Sequence, residues 1–210
     1  MSLNPQLGLI DIGANIGTYT MFIAAMDRLV VAIECFQPNY MRIAKAVQME
    51  NFQNKVILIG NAIYSSTGQY LRLSKDPVNI GGQGIYGTAF LTNRSDDIYM
   101  VRTMRLDDIL PKIQQTNLSS FVMKIDIEGA EYYVFESGRK LFDAFDIPVI
   151  MMEWDKIYQN IERGNFILKF LILHKYIPTT DTCQELSKTD DFSKWPANVF
   201  WIKMNRTGIC

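Results

Sequence analysis

Leu9-Ile10-Asp11-Ile12-Gly13-Ala14-Asn15-Ile16-Gly17-Thr18-Tyr19-Thr20 decides how this chain folds. The apolar run around Asp11 predicts a short buried strand, Gly13 to Gly17 a turn, and the residues from Ile16 onward a helix. Gly13 and Gly17 lack the Cβ that would hold a ligand off the backbone, and both can take the positive φ of a sharp turn. The helix would aim its free N–H groups at whatever lies over that turn. Asp11 puts a negative charge at the strand's carboxyl end, where open α/β sheets bind ligands. A tight strand–helix connection without a ligand would use the same glycines, so the rest of the chain must decide.

Asp11 narrows the ligand. A dinucleotide site presents G-x-G-x-x-G to a pyrophosphate. Here the pattern is D-x-G-x-x-x-G, and its carboxylate would repel phosphate. Such a turn suits a ligand with a positive amine and no phosphate, such as the methionine end of S-adenosylmethionine.

A chain of 210 residues, 48% apolar, suits one α/β domain with a substantial core, here 1–210. The net charge of −1 without a long basic run leaves no electrostatic footprint for nucleic acid. Cys35, Cys183 and Cys210 are scattered, with no C-x-x-C spacing, and read as incidental thiols of a reducing compartment, with the cytoplasm as the expected location. No signal peptide or membrane-spanning apolar run is present, although a removed N-terminal anchor or signal is left open. The single histidine, His174, falls near the end of an apolar helical stretch, which argues for a helix-end or core role and against Ser-His-Asp or poly-His metal chemistry.

In chain order, a helix from Ile16 to about Asp27 leads to a second strand, Leu29 to Glu34. Pro38 opens the next helix, which runs to about Asn51 with Ile43, Ala44, Val47 and Met49 toward the core. Val56 to Ile59 is the third strand. Strand–helix alternation with short connections predicts a parallel sheet with right-handed crossovers. From Tyr64 to Arg105 the alternation stops, leaving two edge-like strands, 69–73 and 97–103, and a glycine-rich loop, Gly81 to Gly87, read as a substrate wall or lid or as a hairpin tip. Asp107 and Asp108 suit the N-terminus of a short helix. Phe121 to Asp126 is the fourth strand, a helix reaches about Phe142, and Pro148 to Trp154 is the fifth strand. A helix from Gly164 to Lys175 precedes a closing antiparallel pair, 176–179 with 198–204.

Asp11, Glu34, Asp126 and Glu153 all end predicted strands, so a parallel sheet would crowd them along one edge. Unpaired, they would repel one another and lose solvation. Only Lys124 and Lys156 lie close by in sequence, so a cationic ligand, a vicinal diol or a metal ion would relieve the strain. Glu34, ending the second strand, can accept two hydrogen bonds from a ribose diol. Asn61 is placed to meet an adenine edge, or simply to form a turn.

Asp11-Ile12-Gly13-Ala14-Asn15-Ile16-Gly17, Glu34 with Pro38-Asn39, Gly60-Asn61-Ala62, Arg105-Leu106-Asp107-Asp108 and Lys124-Ile125-Asp126-Ile127-Glu128-Gly129-Ala130-Glu131 together resemble the FkbM-like methyltransferases. The resemblance implies a class I methyltransferase fold, Rossmann-like. Such a fold has a mostly parallel seven-stranded sheet with a C-terminal antiparallel strand and helices on both faces. It also implies S-adenosylmethionine as cofactor. Asp11, Gly13, Asn15 and Gly17 would hold its methionine end, Glu34 its ribose, and Asn61 with Ala62 its adenine. Asp126 would face the reacting methyl. Cys35-Phe36-Gln37 departs from the shorter Glu-Pro-Asn run of the family.

The expected reaction is O-methylation of a hydroxyl on a small molecule or glycan. Asp126, Glu128 and Glu153 are the candidates to remove its proton, with Lys124 as electrostatic partner. A divalent cation between Asp126 and Glu153 is a secondary reading. Two further readings stand beside it: a nucleic-acid methyltransferase, which would want a basic face, and a binding module that keeps the fold without the reaction.

Overall fold

The computed structural model describes residues 6–75, 81–85, 97–187, 191–204 and 206. Its centre is β1 (Leu7–Ile12), buried on both faces. β2 (Val30–Ile33) and β3 (Val56–Ile59) lie to one side of β1. β7 (Ser120–Ile125), β8 (Val149–Glu153), β10 (Asn198–Lys203) and β9 (Tyr176–Thr179) lie to the other. The order β3-β2-β1-β7-β8-β10-β9 is parallel except for β10, which runs antiparallel to both neighbours. The chain therefore steps outward from β1 to β3 and returns to pair β7 with β1. That reversal opens a crevice at the carboxyl ends of β1 and β7.

Two apolar layers sandwich the sheet. α1 (Thr18–Ala25) and α2 (Gln37–Met49) cover one face through Ile23, Ala24, Ile43 and Val47. Met49, expected toward the core, is exposed. On the other face α4 (Tyr132–Ser137), α5 (Arg139–Ala144) and α6 (Ile161–Leu173) bury Val134, Phe135, Leu141, Ile167 and Phe170 against Ile125, Ile150 and Trp201.

The single helix expected up to Phe142 is broken at Gly138. A Cβ there would lie 2.6 Å from Leu106 Cδ2 and 2.4 Å from the Val134 carbonyl oxygen. Leu106 wedges into the break, and its N–H donates to Ser137 Oγ at 2.9 Å. Asp108 caps its own 3-10 turn by accepting from Arg105 N–H at 3.2 Å. Asp107 instead accepts from Leu141 N–H at 3.0 Å, so it serves α5.

The two edge-like strands, β5 (Tyr70–Arg72) and β6 (Met100–Met104), form a separate three-stranded sheet with β4 (Ala62–Ile63). His174 ends α6, its Nδ1 2.8 Å from the Phe170 carbonyl oxygen and its ring stacked on Phe170. Cys35 is a free thiol whose pKa burial pushes up. Cys183 is disulfide-bonded, which corrects the expectation of three independent thiols. Among the described residues no helix is long and apolar enough to cross a membrane.

Candidate active site

The carboxyl ends of β1, β2, β7 and β8 meet around a cleft of about 280 Å³. Gly13, Asn15, Glu34, Asn61, Ala62, Asp126, Glu128 and Glu153, all expected at the site, line it. Asp11, Gly17 and Lys124 do not.

Gly13 is required by the protein's own packing. Its φ is +81°, and a Cβ would sit 1.8 Å from the Asp126 carbonyl oxygen. The space left by the missing Cβ is thus filled by the backbone just past β7, which fastens the two sides of the crevice together. Gly17, at φ +91°, packs its bare Cα against Ile43 and starts α1. Gly13 lines the cleft as the motif suggests, but its missing Cβ answers to the Asp126 backbone, and Gly17 does not reach the cleft.

Asp11 is fully buried beneath the turn. Its Oδ2 accepts from Thr20 Oγ1 at 2.7 Å, and its Oδ1 lies 3.6 Å from Lys124 Nζ. Burial raises its pKa, with Lys124 and Thr20 opposing. Lys124 Nζ donates to the Gly13 carbonyl at 3.0 Å and pairs with Asp126 at 3.3 Å. One buried ammonium therefore ties β1, the glycine turn and β7 together.

Glu34 is held at the end of β2 by backbone donors on both sides. Phe36 N–H reaches Oε1 at 2.7 Å and Asn15 N–H reaches Oε2 at 2.8 Å. Asn15 takes a positive φ to do this, and its side chain accepts from Asn39 Nδ2 at 2.9 Å. Among the described residues no basic side chain forms a salt bridge with Glu34. Burial pushes its pKa up to about 7, although the two N–H bonds pull the other way. Asn61 sends its Nδ2 to the Arg102 carbonyl at 3.2 Å, so part of its amide is spent on β6.

On the opposite wall Glu128 pairs with Lys156. Glu131 stands directly before α4. It is buried, and its Oε1 accepts from Ile127 and Gly129 N–H at 3.1 and 3.2 Å. It shapes the loop that carries Asp126 and Glu128. Glu153 ends β8 with Oε2 buried and without a hydrogen-bond partner among the described residues. Burial, reinforced by Asp126, Glu128 and Glu131, pushes its pKa up to about 7. Asp126, Glu128 and Glu153 each offer an oxygen within 4.8 Å of the others, a spacing that a cation could bridge. Lys156 already neutralises Glu128 there.

The motifs missed Phe36, whose buried ring lines the cleft and packs 5.5 Å from Tyr99. An aromatic residue directly after Cys35 was the available signal. Gly81, Gln83 and Ile85 form a wall of the cleft, with Gly81 close against the Asn15 amide. This favours a wall over a hairpin tip for that part of the glycine-rich loop; Tyr86 and Gly87 lie outside the described residues.

These raised carboxyl groups set a pH dependence. A carboxyl whose folded pKa exceeds its unfolded value stabilises the fold below the unfolded pKa, and that contribution is lost as pH rises through the folded pKa. Glu34 and Glu153, raised from 4.5 to about 7, should make the ligand-free protein lose stability between pH 4.5 and 7. Thermal unfolding of Glu153→Gln across that window should fall less steeply than wild type. An unchanged slope would show that Glu153 does not titrate there.

The model of the Methyltransferase FkbM domain family matches residues 11–178. A search of curated proteins finds no match. Among solved structures, the methyltransferase FkbM from Methylobacillus flagellatus KT superposes with TM-score 0.58 at 14% identity, over 94% of this chain and 44% of that one. The chain thus spans less than half of that protein. A Streptococcus mutans protein described as a methyltransferase, solved in complex with SAH, gives TM-score 0.50 at 10% identity, over 96% of this chain and 90% of that one. At these identities the likeness bears on the fold alone. The matched region runs from the acid at the end of β1 into β9, and on that match the chain belongs to the FkbM methyltransferase domain family.

Proposed function

We propose that residues 1–210 form one S-adenosylmethionine-dependent methyltransferase domain that methylates a hydroxyl on a small molecule or glycan. The observation that carries the O-methylation reading is Glu153. Its carboxylate stands on the wall across from Glu34, has one oxygen without a partner, and has its pKa pushed up to about 7. A base that titrates near neutrality is what deprotonating an alcohol in step with its attack requires.

The residues fit the cofactor. Glu34, fixed by two backbone N–H groups and without a salt-bridge partner among the described residues, would accept from the ribose diol. Phe36, Ala62, Ile63 and Leu73 give the adenine an apolar wall, with Asn61 at its edge. Gly13 and Asn15 border the methionine end, whose positive charges the acidic wall favours. Bound there, S-adenosylmethionine supplies an electrophilic methyl on a sulfonium. Asp11 and Gly17 are positioning residues. Asp11 holds Lys124, and Gly17 starts α1.

Glu153 would take the hydroxyl proton, while Asp126, anchored by Lys124, lies beside the reacting groups. Holding the two reactants in line supplies about 7–11 kcal/mol of such a barrier. Asp126, Glu128 and Glu153 could also share a divalent cation that acidifies the hydroxyl. Activity that persists after exhaustive chelation would favour Glu153 acting alone.

Calorimetry with S-adenosylmethionine and S-adenosylhomocysteine tests the cofactor reading. Both should bind, and Glu34→Ala should weaken each by about 1–3 kcal/mol, the worth of hydrogen bonds to a charged group. A folded protein that binds neither overturns the reading. Glu153→Gln should keep the cofactor affinity and lose most of the turnover.

A further inference from the structure

The helices on one face stop short of the sheet's far half. α1 packs on β1 and β2, while Val149 and Met151 of β8 and Phe200 of β10 remain half-buried on that side. A second cavity of about 610 Å³ opens there, and Asp126 and Glu153 belong to its wall as well as to that of the first cleft. We propose that this second cavity is the acceptor site and that it selects an uncharged, ring-bearing polyol such as a neutral sugar. The proposal rests on the methyl-transfer reading above.

Position supports it first. The proposed base Glu153 lines both cavities together with Asp126, so a hydroxyl held in the second can meet Glu153 where that cavity adjoins the cofactor cleft. The volume falls within the range of about 300–1,000 Å³ usual for small-ligand pockets. Composition is the second support. Tyr19, Met151 and Phe200 offer apolar and aromatic surface, while Asp181 and Asn198 offer hydrogen-bonding groups. A sugar ring has the matching halves, apolar C–H faces and a hydroxylated edge.

Charge is the third support, and it narrows the class. Among the described residues, Asp126, Glu153 and Asp181 face the cavity against one ammonium, Lys124, which is already shared by Asp11 and Asp126. A phosphate, a uronate or a nucleic-acid strand would meet net like charge, whereas a neutral polyol would not.

The test is labelled-methyl transfer from S-adenosylmethionine to a panel of neutral glycosides, the matching sugar phosphates and uronic acids, and a short RNA. Wild type, Tyr19→Ala and Asp181→Asn are compared, and S-adenosylhomocysteine affinity is measured for each. Neutral glycosides should be methylated in preference to the anions. Each variant should raise the glycoside KM about tenfold with kcat and S-adenosylhomocysteine affinity little changed, as expected for loss of uniform acceptor binding. With S-adenosylhomocysteine bound, the inference fails if no neutral glycoside is methylated, if the anions or RNA are preferred, or if KM is unmoved in both variants. Absence of S-adenosylhomocysteine binding by wild type would instead remove the methyl-transfer reading itself.

Discussion

Lys124→Met is expected to lose about 3 kcal/mol of folding stability, toward the lower end of the cost of stripping one partner from a buried ion pair. Lys124 Nζ touches the Gly13 carbonyl at 3.0 Å, Asp126 at 3.3 Å and Asp11 at 3.6 Å. Methionine fills much of the same volume but leaves Asp11, fully buried, with Thr20 as its only hydrogen-bond donor among the described residues. The loss stays below the maximum because Asp11 can take up a proton instead of remaining charged. That escape fixes the sign of the pH dependence. Lys124 is the largest influence holding down an Asp11 pKa that burial raises. Without it the folded pKa rises further, so the deficit is smallest at low pH, grows as pH rises from the wild-type folded pKa to the variant's higher one, and is fully present above it. Urea unfolding of both proteins at about pH 5 and about pH 8 measures this. A deficit equal at the two pH values would mean that Asp11 is not the group left uncompensated.

Gly13→Ala is expected to cost about 3 kcal/mol or more and to abolish measurable S-adenosylhomocysteine binding. Two penalties combine. Alanine at φ +81° is strained whatever its surroundings, and its Cβ would fall 1.8 Å from the Asp126 carbonyl oxygen. That oxygen belongs to backbone, so β7 or the turn must move, and Asp126 moves with it. Gly17→Ala is the internal comparison. It carries a similar strain at φ +91°, but its nearest contact is Ile43 Cγ1 at 2.9 Å, a side chain that can rotate away. Thermal unfolding with and without S-adenosylhomocysteine should rank the variants wild type, Gly17→Ala, then Gly13→Ala. Equal losses at the two glycines would mean that the Asp126 backbone is not what excludes a side chain at Gly13.

The strand-end acids Asp11, Glu34, Asp126 and Glu153 were legible in the sequence because each follows a short apolar run. A parallel sheet can only bring such ends to one edge. The closing antiparallel pair was legible as two short strand-like runs, 176–179 and 198–204, that follow the last helix. The break at Gly138 was not, since it depends on Leu106, far away in the chain, occupying the space a Cβ would need.

What the sequence alone determined is the strand–helix alternation, the glycine turn and the row of carboxylates, all consequences of local pattern and of the handedness of crossovers. Only the tertiary structure decided which side of each group faces the cleft. It buried Asp11 beneath the turn, set the Asp126 carbonyl where Gly13 has no Cβ, and brought Phe36 and residues 81–85 to the wall. It also left one face of β8 and β10 open beside Tyr19. The physical reason is range. Lys124 and Gly13 stand 111 residues apart, and no local propensity encodes a hydrogen bond over that separation.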